Sequence, residues 1–317
     1  MNVEQSFKIW EGQYLKGNPF IVEVWKYSIP GGSSIMSMYD NLRIRTMRRE
    51  ELQFAVDLAA GEGWNPGIHD AESFYHADPE GFFLGEIGGE PVGCIAAVAY
   101  TKAFGYIGLY VVRQAFRGKN IGWKLWCHAL DRLGDRNIGL DGVVEQQADY
   151  RRSGFRLAYR NVRYEGSCTK KTISEKISVL SDDLFEDLVV YDSSMFRVRR
   201  PAFLKKWINQ PEGSALCVQR NNRIIGYGVI RRCLIGYKIG PLFADDAQTA
   251  DDLFVALNSE AGDGPVFIDI PDVNPDALAL VNRHCMKEVF ETARMYKKRT
   301  PPLHLHRIYG GTTFEVG

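Results

Sequence analysis

The stretch from Tyr106 to Gly122, YIGLYVVRQAFRGKNIG, constrains this chain more than any other. An apolar, β-branched and aromatic run reads as a buried strand. It turns polar at Arg113 and Gln114 and reaches a basic, glycine-bearing turn, Arg117-Gly118-Lys119-Asn120-Ile121-Gly122. Trp123, Leu125, Trp126, Ala129, Leu130 and Leu133 then follow a helical stripe, so the turn is expected on a helix N-terminus. Free N–H groups, the positive end of the helix dipole and the side chains of Arg117 and Lys119 would converge there on a volume suited to a pyrophosphate.

Spacing separates three kinds of phosphate loop. A Walker loop needs Ser or Thr after Gly-Lys, and here Asn120 follows Gly118-Lys119. A dinucleotide fingerprint needs G-x-G-x-x-G near the start of a βαβ unit, and that pattern is absent. The remaining pattern, Arg-x-x-Gly-x-Gly, resembles the coenzyme A pyrophosphate loop of the GNAT superfamily of N-acetyltransferases. Asn120 occupies a glycine position of that loop, and asparagine is the non-glycine residue most tolerant of positive φ. A second segment, Tyr150-Arg151-Arg152-Ser153-Gly154-Phe155, looks like the family's Tyr-x-x-x-Gly-Phe signature. The resemblance covers about Leu42 to Gly166, where strand, helix, helix, antiparallel strands, helix, strand, helix, strand follow in the family's order.

A chain of 317 residues, 45% hydrophobic, is long enough for two domains of about 150 residues each. Its 39 basic and 39 acidic residues leave no overall field to favour nucleic acid or an anionic membrane. The six cysteines are scattered without a C-x-x-C pair, which points to a reducing compartment and no structural zinc. No apolar run approaches the roughly 20 residues of a spanning helix. A soluble cytoplasmic protein is expected.

Residues 1–40 read as a peripheral extension with one candidate strand, Phe20 to Tyr27, cut off by Pro30-Gly31-Gly32. Residues 41–167 form the first domain. Within it, Gly61 to Gly67 breaks a helix and places Trp64 and Asn65 in a loop, either as a ligand-contacting segment or as a turn with Trp64 plugging the core. Residues 168–300 repeat the first domain in degenerate form. Gly240-Pro241-Leu242-Phe243 takes the place of Gly108-Leu109-Tyr110-Val111, and Arg294 follows Met286 at the interval by which Arg163 follows Phe155. The phosphate loop is missing, Asp245 and Asp246 stand where it would be, and Val281 takes the position of Tyr150. The fold class is therefore α/β (α+β): two tandem GNAT-like domains, each a mixed, mainly antiparallel sheet flanked by helices. Residues 301–317 are a tail expected to cross back between the domains, and a homodimer is compatible with the degenerate half. His304 and His306 share a strand face without a third ligand, so no metal is expected.

The resemblance implies acetyl-CoA as co-substrate. Its pyrophosphate would be bound by Arg117, Gly118, Lys119, Asn120, Ile121 and Gly122, and its pantetheine by the main chain of Tyr110, Val111 and Val112. An N–H near Val111 would stabilise the oxyanion. Tyr150 takes the family's place for the acid that protonates the departing thiolate. The base stays open among Glu145, Asp141, Glu62, His69 and Asp70, or none at all. Trp64, Asn65 and Tyr106 would line the cleft for a small-molecule or peptide amine. The function so implied is direct N-acetyl transfer to an amine; the alternative is a sensor that binds acetyl-CoA without turnover.

Overall fold

The computed structural model describes residues 41–168 and 173–317. The strand expected at Phe20 to Tyr27 lies outside the described residues.

In the first half, β1 (Arg43–Thr46) leads to α1 (Leu52–Gly61), which buries Leu52, Ala55, Val56 and Ala59 on one face, and to α2 (Asp70–Ala77). β2 (Phe82–Ile87) and β3 (Glu90–Val98) form a hairpin. Gly88 and Gly89, at φ 60° and 83°, supply the left-handed pair that a two-residue turn needs. β4 (Phe104–Val112), α3 (Ile121–Leu133), β5 (Asn137–Val143), α4 (Gln147–Arg152) and β6 (Arg156–Ser167) follow.

The second half repeats the order. It runs β7 (Ile177–Val179), α5 (Phe185–Phe196), α6 (Pro201–Trp207), β8 (Gly213–Arg220), β9 (Arg223–Arg232) and β10 (Tyr237–Ala244). It continues with α7 (Ala247–Glu260), β11 (Pro265–Pro271), α8 (Pro275–Arg283) and β12 (Lys287–Tyr296), and the tail adds β13 (Ile308–Gly310).

All of these strands join one mixed, largely antiparallel sheet in the order β1-β2-β3-β4-β5-β12-β6-β11-β10-β9-β8-β7, with β13 on β10. The parallel pairs are β4–β5 and β10–β11, each spanned by a crossover helix, α3 or α7, as parallel pairing requires. The last strand of each half is built into the other. β12 lies between β5 and β6, and β6 lies between β12 and β11. The duplication is thus legible as two sequence units, while the sheet changes from one to the other three times, at β5–β12, β12–β6 and β6–β11.

The two halves also share a core. α1 and α2 pack with α5 and α6, so that Leu52, Val56 and Phe74 belong to one apolar cluster with Leu188, Phe203 and Trp207. The Phe74 and Trp207 rings stack with centroids 6.2 Å apart. Burying side chains of this size contributes about 2 kcal/mol each, so this joint resists separation of the halves. The opposite faces are covered separately, by α3 in the first half and by α7 and α8 in the second.

Candidate active site

β4 pairs with β5 from Phe104–Asn137 to Ile107–Leu140 and then parts from it. The cause is a bulge. Val111 and Gly108 oppose Cys94 and Ala96, so β4 takes three steps where β3 takes two, and Leu109 carries the kink at φ 45°. The Cys94 thiol donates to the Leu109 carbonyl at 3.1 Å, and burial pushes that thiol up to about 12. It serves the kink and stays far from the thiolate a nucleophile would need. The main chain of Tyr110, Val111 and Val112 therefore borders a slot between two diverging strands.

The turn after β4 adopts the conformation its sequence requires. Gly118 has φ 72°, and Asn120, at φ 61° and ψ 8°, is the residue before α3. Asparagine has replaced glycine without loss of the left-handed geometry. The first N–H groups of α3 have no intrahelical acceptors, and two left-handed residues ahead of them make a concavity suited to an anion. A Cβ at Gly118 would meet nothing within 4 Å, whereas one at Gly122 would lie 2.7 Å from Tyr110 Oη. Gly122 thus allows β4 and α3 to approach, and Gly118 keeps the mouth of the concavity clear.

Arg117 and Lys119 do not reach into that volume as the sequence suggests. The Arg117 guanidinium donates to the Val112 carbonyl at 2.8 Å and to Glu62, and Lys119 Nζ donates to the Ala115 carbonyl at 2.7 Å. Their charge stiffens the loop.

Tyr150 packs over β5 on the face that carries α3. A Cβ on Gly142 would collide with its ring, and the ring packs 5.5 Å from Trp126, which in turn stands 5.6 Å from Tyr110. Burial raises the Tyr150 phenol above its ordinary value, so the group stays protonated well into the alkaline range. Glu145, on the turn after β5, is exposed to solvent.

The residues expected to line an acceptor cleft have other work. The Asn65 side chain is bonded at both ends to the main chain of Ile235, at 2.9 and 3.0 Å. The Trp64 carbonyl accepts from Arg163 Nη1 at 2.6 Å, and its ring joins the core shared by the halves. Ile68 N–H donates to the Arg232 carbonyl at 3.0 Å. This loop is the seam onto the second half, a partner that no local pattern could reveal. Tyr106 is fully buried and its hydroxyl donates to Asp141 at 2.6 Å, so it faces no cleft.

The other candidate bases are occupied as well. Asp141 accepts two bonds from Arg294 and one from Asn161. Asp70 accepts from Gly67 N–H, Gln210 and Arg231. Glu62 is held by Arg117, and His69 faces Glu212 at 3.2 Å.

Sequence reasoning expects the tail to cross between the halves but does not foresee which of its residues reach β4. The tail threads from the second half to the first: Arg200 Nη1 donates to the Gly317 carbonyl at 2.9 Å, and Tyr100 Oη donates to the Val316 carbonyl at 2.8 Å. A Cβ on Gly108 would run into the main chain of Glu315, so the tail crosses β4 beside its kink. The bare composition of Phe314-Glu315-Val316 carries no signal of this placement.

The second half has the same scaffold with its site filled by its own chain. β10 bulges at the matching point, Ile239 and Leu242 opposing Ile230 and Gly228. There β13 enters, pairing with β10 while Gly311 N–H donates to the Asp269 carbonyl of β11 at 2.7 Å. At the N-terminus of α7, Asp246 accepts the Thr249 N–H at 2.8 Å, so a carboxylate of the protein sits where an anion would. Asp245 is engaged by Tyr191 and Arg307.

Residues 44–155 match the profile described as the acetyltransferase (GNAT) family, and residues 188–310 match a second, described as an acetyltransferase (GNAT) domain. The chain is 30% identical over 270 residues to the holothin acyltransferase of Pseudoalteromonas sp. (strain SANK 73390), covering 84% of this chain and 92% of that one. It is 25% identical over 234 residues to the uncharacterized N-acetyltransferase YitH of Bacillus subtilis (strain 168), covering 70% and 80%. A crystal structure of a putative acetyltransferase from Pyrococcus horikoshii shares the fold, with TM-score 0.75 at 22% identity, over 92% of this chain and 100% of that one. A tandem GNAT protein of the clavulanic acid biosynthesis pathway shares it more loosely, with TM-score 0.56 at 12% identity, over 82% and 100%.

A kinked central strand beside an open helix N-terminus, carried in a duplicated sheet with acyltransferase relatives, defines an acyl-group transferase. The chain belongs to the GNAT acetyltransferase family, in its tandem form.

Proposed function

We propose that the first half transfers an acetyl group from acetyl-CoA directly to an amine. The observation that carries this reading is the α3 N-terminus, kept open by left-handed Gly118 and Asn120 beside the unpaired edge of β4. Acetyl-CoA supplies an activated thioester when bound. The N–H groups at the start of α3 hold its diphosphate, and the β4 edge from Tyr110 to Val112 orients the pantetheine through main-chain bonds. A main-chain N–H at the kink, near Val111, stabilises the oxyanion as the amine adds. Tyr150, kept protonated by burial, gives its proton to the departing sulfur. Tyr150 lies on the α3 side of the sheet with Trp126, so the donor occupies that side and the acceptor approaches from the opposite face.

The test is thiol release from acetyl-CoA in the presence of an amine panel. The Pseudoalteromonas relative's name makes holothin its acyl acceptor, so holothin belongs in the panel. Release that depends on an amine supports transfer. Tight binding of acetyl-CoA with no release for any amine would leave only the sensor reading.

A further inference from the structure

A direct transfer needs a group to take the proton from the attacking nitrogen, and among the described residues one buried carboxylate oxygen is open to do so. Among the described residues, Oε1 of Glu315 is the one buried carboxylate oxygen without a hydrogen-bond partner. Its other oxygen accepts from the Thr313 hydroxyl. The neighbouring buried carboxylates Asp70, Asp141 and Asp269 are each paired with an arginine, Arg231, Arg294 and Arg163 respectively. An unpartnered, fully buried carboxylate oxygen is costly, and such atoms mark places where a water or a ligand completes the set.

Position points the same way. The Glu315 main chain lies against Gly108, one residue before the kinked Leu109, on the face where Leu109 and Val111 meet the core of α1 and α2. That is the acceptor's side in the reading above. Two guanidiniums share the surroundings. Burial works against the charge of Arg163 and Arg231, yet Asp269 and Asp70 outweigh it, with Glu315 adding to both, and both stay raised. Arg231 Nη1 and Nη2 also lack partners, so the space beside Glu315 holds open donors as well as an open acceptor.

We propose that Glu315, delivered by the C-terminal tail, is the catalytic base of the first half: Oε1 accepts the N–H of the incoming amine and takes its proton. This rests on the acyl-transfer reading. Glu315 takes one proton from the incoming ammonium, the freed nitrogen bonds to the thioester carbon, the C–S bond breaks, the sulfur takes the Tyr150 proton, and the nitrogen gives up its second proton. Glu315 then loses its proton to solvent and Tyr150 regains one, so the sum is amide plus free thiol. The second half thereby acquires a role, because its tail completes the site of the first.

The experiment compares wild type with Glu315→Gln and Glu315→Asp, using acetyl-CoA and the fastest amine of the panel from pH 6.5 to 10. Glu315→Gln is expected to lower kcat about 100-fold or more at pH 7 while the acetyl-CoA Kd stays within about twofold. The deficit should shrink as pH rises and the amine arrives unprotonated, and Glu315→Asp should regain part of the rate. A Glu315→Gln rate within about threefold of wild type at pH 7 would overturn the assignment, as would a deficit equal at every pH, the mark of a water-bridged structural carboxylate. If wild type binds acetyl-CoA but acylates no amine, the acyl-transfer reading fails first and Glu315 falls with it.

Discussion

Arg294 on β12 and Asp141 on β5 face each other across the junction of the two halves, with Nε donating to Oδ1 at 2.8 Å and Nη2 to Oδ2 at 2.6 Å. The pair has a counterpart related by the duplication. Arg163 on β6 donates to Asp269 on β11 at 2.6 and 2.9 Å. Each arginine sits on the last strand of one half and each aspartate on the fifth strand of the other, in register. The exchange of strands is therefore fastened twice by the same chemistry.

Breaking either clasp strands a buried charge. Asp141→Ala is expected to lower unfolding free energy by about 3–5 kcal/mol, and Asp269→Ala by a similar amount. Denaturant titration measures both. Losses below about 1 kcal/mol would show that the clasps are dispensable.

The turn before α3 should tolerate only residues that accept a left-handed backbone. Asn120→Gly is expected to leave acetyl-CoA affinity unchanged and stability equal or slightly higher. Asn120→Val should cost about 1–2 kcal/mol and weaken affinity, because a β-branched side chain resists φ near 61°. Calorimetric titration of each variant decides it.

In the second half, Asp246→Ala removes the cap of α7 and should cost about 1 kcal/mol. It should not create cofactor binding, since β13 still fills the slot beside β10. A new acetyl-CoA site in this variant would contradict the assignment of that half.

Alkaline pH should destabilise the fold. Burial raises the phenols of Tyr100, Tyr106, Tyr110, Tyr150, Tyr159 and Tyr227, while in the unfolded chain they ionise near 10. Below about pH 10 both states hold the proton and these groups are neutral to the balance. Above it the unfolded chain sheds protons that the fold retains, and each tyrosine subtracts about 1.4 kcal/mol per pH unit. Unfolding free energies from pH 8 to 11 should stay flat and then fall steeply. A flat profile to pH 11 would mean these phenols are not held neutral.

Much of this was legible because it is local. The left-handed Asn120, the Gly88-Gly89 hairpin and the matching of Gly240 with Gly108 follow from short-range backbone demands that a sequence displays directly. The equal intervals before Arg163 and Arg294 showed the repeat, yet not that each arginine would pair inside the other half. Asn65 and Tyr106 were misplaced for the same reason. Their partners, Ile235 and Asp141, lie 170 and 35 residues away, and a polar loop reads alike whether it faces a ligand or a second domain. Glu315 was invisible, since nothing in a three-residue run says that a tail will lie across β4.

Calorimetric titration with acetyl-CoA tests the central claim most directly, that one half holds the cofactor and the other fills its own slot. One site per chain is expected, lost when Gly122 is replaced by Phe, which would drive into Tyr110. Two sites per chain, no site, or a site untouched by that substitution would contradict it.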